Sequence, residues 1–318
     1  EEGLNELGLT VRTVPYKGRS ILTVKTFYPG EVVIKQEPYV CVPNNSAATT
    51  KTCDECFTPT PHSKSCSACH VAWYCGTACQ KLDWNLHKIE CKSLCKLDKE
   101  TRKLLTPSLR LMIKLYLRRK FQAEKKISSS SLDNYCLVES LVSHMNRVDE
   151  KQLIIYAQMA NLVNVILQWP DLNLKEVAEN FSKFACNAHT ICDYELQPLG
   201  TGLYPIISLI NHSCRPNCVL MFEGKRAVVR AVELIPENSE VFISYIETAS
   251  WVTTRQKALQ EQYFFTCACP RCDAPGENDV VEGNCELESE VREISERVSS
   301  NRIGNRSAIG MYKEVEKR

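Results

Sequence analysis

Eight potential metal ligands crowd into 39 residues, at Cys53-x2-Cys56, Cys66-x2-Cys69, Cys75-x3-Cys79 and His87-x3-Cys91. Thiolates two residues apart on a tight turn can share one tetrahedral ion, and a three-residue gap puts both ligands on one face of a helical turn. Eight such groups make two closed Cys/His sites with no open position for water, so the metal is structural. Buried free cysteines are the competing reading, and the regular gaps argue against it. The chain carries 18 cysteines in 318 residues with 44% hydrophobic content. A chain of that size builds its core without disulfides, and disulfide scaffolds belong to short secreted chains. A reducing intracellular compartment is expected.

No run of 18 apolar residues is present, and the first 40 residues lack a signal-peptide profile. A soluble, non-secreted protein is expected, although the chain begins at Glu1 without an initiator methionine. Net charge is +1, which disfavours a dedicated DNA-binding regulator.

Residues 9 to 42 alternate apolar and polar positions around turns at Tyr16-Lys17-Gly18 and Tyr28-Pro29-Gly30, which predicts short antiparallel strands. After Cys91 the pattern is helical to about residue 185. Thr106 with Pro107, Asp149 with Gln152, and Asn173 with Glu176 mark three helix starts. In the first of these, Leu109, Met112, Ile113 and Tyr116 share one face, and Arg110, Lys114 and Arg118 line another. The stretch from Arg102 to Lys126 holds nine basic residues against one acidic, and reads as a solvated face or a weak DNA contact. Strands return from Gly200, with Val228–Val232 and Val241–Tyr245 the clearest. Beyond Cys272, Leu287, Val291, Ile294 and Val298 form a narrow helical stripe, the expected stub of a truncated C-terminal domain.

A second constellation joins Asn211-His212-Ser213-Cys214-Arg215-Pro216-Asn217 to Glu240-Val241-Phe242-Ile243-Ser244-Tyr245. Cys267-x-Cys269-x2-Cys272 follows, and three thiolates so close need a distant fourth ligand. These segments resemble the catalytic core and post-SET cysteines of SET-domain lysine methyltransferases. The block from Cys53 to Cys91, with Trp73-Tyr74 and Cys79-Gln80-x3-Trp84-x2-His87, resembles a MYND finger. Together they resemble the SET-and-MYND-domain lysine methyltransferases, plant members in particular, over residues 8 to 272.

The resemblance implies an α+β fold: a split SET-type β-fold with an inserted MYND zinc finger and a helical insert, plus a post-SET zinc site. It divides the chain into an N-terminal part of the SET domain (1–50), the finger (51–91), the helical insert (92–185), the SET core (186–248), the post-SET region (249–272) and the stub (273–318). It pairs Cys53, Cys56, Cys75 and Cys79 on one ion and Cys66, Cys69, His87 and Cys91 on another. For the third ion, with Cys267, Cys269 and Cys272, it supplies Cys214, with Cys218 as competitor.

The activity implied is methyl transfer from S-adenosylmethionine to a histone or non-histone protein lysine, Tyr245 and Tyr263 forming the catalytic pair. Tyr263 lies opposite Tyr245 across a lysine channel, and His189 stands where relatives carry phenylalanine. Cofactor contacts carry over onto Lys17, Arg19, Glu139, Asn187, Ser208, Asn211, His212, Tyr245 and Phe265. Ser20 departs from the family's Gly-x-Gly loop, which bears on how closely that backbone meets the cofactor. A zinc-dependent scaffold with little activity is the alternative. The implied partners are a substrate lysine, a proline-rich peptide at the finger and, more weakly, DNA, with no membrane. The chain is expected to be a monomer in nucleus or cytoplasm.

Overall fold

The computed structural model describes residues 2–273 apart from Tyr16 and 46–49, together with residues 293, 294 and 297. Of the C-terminal stripe, Leu287, Val291 and Val298 lie outside the described residues, while Ile294 is buried.

A short helix α1 (Glu2–Glu6) leads into the hairpin β1 (Leu9–Val14) and β2 (Gly18–Thr23), in register Val14 to Gly18. Gly18 has φ of 76° at the end of the connecting loop, a left-handed position that suits glycine. The second turn closes when Glu31 N–H donates to the Tyr28 carbonyl at 3.0 Å, with Gly30 at φ 90°. β3 (Val32–Gln36) and β4 (Val40–Pro43) follow.

The zinc block contributes β5 (Lys51–Thr52), β6 (Pro59–Thr60), β7 (Lys64–Ser65), β8 (Trp73–Tyr74) and the helix α2 (Thr77–Cys95). Helices α3 (Lys99–Lys103), α4 (Pro107–Ala123), α5 (Tyr135–Glu139), α6 (Glu150–Leu167) and α7 (Leu174–Asn187) form the insert. Thr106, Asp149 and Asn173 cap α4, α6 and α7, each side chain accepting a backbone N–H of its own first turn. The chain then returns through β9 (Ala188–Cys192), β10 (Pro198–Leu203), β11 (Asn211–His212), β12 (Cys218–Glu223), β13 (Arg226–Ala231) and β14 (Phe242–Ile243). α8 (Val252–Tyr263) and α9 (Pro270–Asp273) complete it.

The α+β fold holds, and the β-core is assembled from pieces far apart in sequence. β10 bonds to β4 and β9; β13 bonds to β12 and β3; β11 and β14 run parallel. One apolar core lies within this β-assembly around Leu9, Ile21, Val229, Ile207 and Val241. A second fills the insert around α4, α6 and α7 and meets the sheet at Tyr39, Val40, Val42 and Leu203. Two strand readings need correction: β9 begins before Gly200, and the run at Val241–Tyr245 pairs only over β14 before bending toward α8.

The basic stretch from Arg102 to Lys126 is not one helix, and its middle is not a solvated face, although Lys103, Lys120, Lys125 and Lys126 are exposed. It breaks at Thr106, and every residue of α4 from Leu109 to Leu117 is buried, Arg110 and Lys114 included. Both cations face the zinc block. Arg110 bonds to Asp54 (2.5 Å) and Glu90 (2.6 Å), and Lys114 lies 3.9 Å from Asp54 and donates to the Cys41 carbonyl. Burial works against the charged form of Glu90, yet Arg110 and Lys114 hold its carboxyl well below the usual range.

Four consecutive residues dock the zinc block on its host. Asp54 meets Arg110, and Glu55 pairs with Lys225 at 2.7 Å. A Cβ on Gly224 would come 2.9 Å from the Cys56 carbonyl oxygen, and one on Gly200 would come 2.7 Å from the Phe57 ring. Truncating Arg110 to Met leaves two buried carboxylates without their main counter-charge. A loss of about 3–5 kcal/mol is expected, measured by urea unfolding at neutral pH.

Candidate active site and metal centres

Three ligand clusters form, with ligand atoms in each lying within 4.8 Å of one another: Cys53, Cys56, Cys75 and Cys79; Cys66, Cys69, His87 and Cys91; Cys214, Cys267, Cys269 and Cys272. Thiolate and imidazole donors in sets of four suit tetrahedral zinc. The folded positions support the interleaved pairing of the finger, and of the two candidates for the last site Cys214 joins the cluster while Cys218 lies in β12.

Two of the centres are backed by a charged partner. His87 approaches Cys69 through Nε2 (3.7 Å), and its Nδ1 meets Glu90 (2.8 Å), so a metal-bound Nε2 leaves Nδ1 to donate to the carboxylate. At the third centre the fully buried Arg255 donates to Cys272 Sγ at 3.7 Å and to the Ser250 carbonyl at 2.5 Å. Its guanidinium offsets part of the negative charge that four thiolates place there. No spacing in the sequence marked Arg255.

Beside this centre both segments of the second constellation bond to β2, Val241 N–H donating to the Ile21 carbonyl at 2.9 Å. The Asn211 side-chain amide lies within hydrogen-bond reach of three acceptors: the Arg19 carbonyl (3.2 Å), Ser20 Oγ (2.9 Å) and Glu240 Oε1 (2.8 Å). Glu240 Oε2 also pairs with Lys17 at 2.9 Å. Ser20 is buried within β2, opposite Arg12, in ordinary strand backbone. The second glycine is therefore not needed for backbone freedom, and the hydroxyl that replaces it receives the Asn211 amide. Sequence reading missed Glu240, although it opens the strand motif; its role appears only when β2 is placed beside it.

Arg19 extends to Ser140, donating to its hydroxyl at 3.2 Å and its carbonyl at 2.6 Å, which brings Glu139 at the end of α5 toward the same opening. Asn187, at the end of α7, donates to the Val142 and Lys183 carbonyls, and Ser208 donates to the Asn187 carbonyl at 2.9 Å. Lys17 is exposed and Arg19 half-buried.

Those rings gather on Tyr245. Its ring centroid lies 4.8 Å from Tyr263, 5.3 Å from His212 and 6.5 Å from Phe265. The Tyr245 hydroxyl donates to the Ile210 carbonyl at 2.6 Å, and burial raises the pKa of the phenol, which stays neutral. Burial likewise pushes Tyr263 up to about 12. His212 Nδ1 accepts the Tyr245 N–H at 3.0 Å, which leaves the ring proton on Nε2, 3.3 Å from Cys214 Sγ. His189 takes a different neighbour, standing edge-on to Tyr204 with ring centroids 6.0 Å apart, and its buried Nε2 has no hydrogen-bond partner.

A SET-domain family model matches residues 18–246. The chain belongs to the SET-domain family. Among curated proteins it is 55% identical to the histone-lysine N-methyltransferase ASHR1 of Arabidopsis thaliana, over 90% of this chain and 59% of that protein. It is 34% identical to the N-lysine methyltransferase SMYD2 of Mus musculus, over 80% of this chain and 58% of that one. Mouse histone-lysine N-methyltransferase SMYD3 is 32% identical, over 90% and 66%. These relatives place it in the SET-and-MYND group, and the chain spans about three-fifths of the length of the first of them. Among the described residues no helix is long and apolar enough to cross a membrane.

Two outcomes follow for this SET core. Metal analysis should give three zinc ions per chain, and Cys267→Ser should give two. Burial lowers the pKa of His189 from 6.5 to about 4, so between these values the unfolded chain takes up a proton that the fold refuses. Stability contributed by the neutral ring is present above pH 6.5 and lost as pH falls toward about 4. His189→Phe should flatten the pH dependence of the melting temperature across that window.

Proposed function

We propose that this chain is the catalytic part of a protein-lysine N-methyltransferase that takes its methyl group from S-adenosylmethionine. The observation that carries the reading is the setting of Tyr245: a neutral phenol, its only hydroxyl proton committed to the Ile210 carbonyl, facing a second tyrosine at 4.8 Å.

S-adenosylmethionine, when bound, supplies a methyl group on a positively charged sulfur. Lys17 and Arg19 would receive its carboxylate, Asn211, His212, Asn187 and Ser208 its adenosine, Glu139 its ribose, and Phe265 would cover the purine. With its proton directed at Ile210, the Tyr245 oxygen offers lone pairs to whatever enters beside it. A lysine amine, with pKa near about 10.4 in water, loses the advantage of its charge in an aromatic channel. Tyr245 and Tyr263 thus orient a neutral amine and need no strong base, and alignment supplies the rate. Their ring faces accommodate a methylated ammonium product. The acceptor is proposed to be a histone or non-histone lysine.

The finger's outward side supports a separate role in holding a proline-rich peptide, since Leu82 and Trp84 of α2 are exposed at 70% and 45%. Burial of Arg110 and Lys114 leaves seven of the nine basic residues of that stretch for the weaker reading of a DNA contact. A monomer in nucleus or cytoplasm completes the proposal.

Labelled S-adenosylmethionine and a peptide array should show transfer that falls about a hundredfold in Tyr245→Phe. Full-length protein that transfers no methyl, and binds no cofactor by calorimetry, would overturn the reading. His189→Phe should change the ratio of mono-, di- and trimethyl products by mass spectrometry; an unchanged ratio removes His189 from the channel wall.

A further inference from the structure

Phe264 occupies the left-handed region, at φ 62° and ψ 34°, at the C-terminal end of α8. A bulky side chain rarely adopts this conformation, and it persists only where surrounding contacts impose it. The residues on either side are the two aromatics that face Tyr245, at 4.8 Å for Tyr263 and 6.5 Å for Phe265. In a continuing helix these neighbours would diverge by about 200°. The left-handed turn lets both converge on one ring.

The contacts that impose it come from the insert. Arg147 donates to the Phe264 carbonyl, and its guanidinium lies 5.8 Å from the Phe264 ring centroid. The His144 ring lies 5.0 Å from the same ring. The segment holding both residues is itself fixed: Arg147 N–H donates to the His144 carbonyl (2.8 Å), His144 N–H to Ser182 Oγ (3.3 Å), and Asn187 to the Val142 carbonyl (2.9 Å). One further carbonyl at the end of α8, that of Gln262, accepts from Cys186 of α7 at 3.7 Å. Last-turn carbonyls lack partners inside their own helix, and a cation there is favoured by the helix dipole.

We propose that Arg147, with His144, is a positioning residue for the aromatic wall: the insert clamps Phe264 in its left-handed conformation and so sets Tyr263 and Phe265 against Tyr245. This rests on the methyltransferase reading for its catalytic consequence, but the clamp itself is a separate claim.

The test uses the full chain with Arg147→Ala and Arg147→Lys, compared by hydrogen exchange without cofactor and by methyl transfer. In Arg147→Ala, amides of residues 264–267 should exchange faster while the melting temperature stays near wild type, because Arg147 is exposed. Transfer should fall about tenfold to a hundredfold, mainly in kcat, as expected for small misplacements of reacting groups. Arg147→Lys should retain part of the protection and part of the rate. Unchanged exchange at 264–267 in Arg147→Ala overturns the clamp. So does a loss of protection spread evenly over the molecule. If wild type transfers no methyl, the exchange measurement still decides the clamp, and only the methyltransferase reading falls.

Discussion

The site exists because one side-chain amide holds three separated parts of the chain together. Asn211 reaches β2 through the Arg19 carbonyl and Ser20 hydroxyl, and reaches the segment before β14 through Glu240. Arg19 and Ser20 lie 192 and 191 residues before Asn211 and Glu240 lies 29 after it, with the finger and insert in the longer interval. Glu240 extends the tie to Lys17, and the adjacent His212 joins the backbone of Tyr245 to the third metal centre. A partly buried amide with several acceptors is strongly directional, so it fixes register where the short paired segments β11 and β14 could not.

Two clusters of buried charge find their partners in a different segment. Arg110 and Lys114 of α4 meet Asp54 and Glu90 of the zinc block, and Arg255 of α8 meets the thiolates gathered around Cys214. Desolvating such groups is costly unless the partner is in place. The same interactions are therefore poor sources of net stability and strong selectors of one arrangement.

The metal-binding part was legible because ligand spacing is a local property. Two-residue and three-residue gaps state their geometry without reference to the rest of the fold, and so do the caps Thr106, Asp149 and Asn173. What stayed hidden depended on long-range partners. Arg110 and Lys114 read as a solvated face because their carboxylates lie in another module, at Asp54 and Glu90. Ser20 read as a defect in a glycine loop because its hydroxyl's partner, Asn211, is far away in sequence. His189 could be assigned to a position but not a neighbour, and Tyr204 occupies the space beside it. The resemblance to SET-and-MYND proteins located the Tyr245 motif; the hydrogen bond to Ile210 that orients the phenol came only with the fold.

The docking run from Asp54 to Phe57 begins just after one ligand of the first finger site and contains another, Cys56. The ion and the host therefore share a single loop as template. A finger transplanted from elsewhere would keep its metal and still sit askew unless those intervening side chains came to match Arg110, Lys225 and the two glycines. Domain shuffling is thus a poor route to new versions of this architecture, and variation is left to the outer side of α2, where a change at exposed Leu82 disturbs neither metal nor mount, whereas Trp84 packs its ring 6.1 Å from that of the ligand His87.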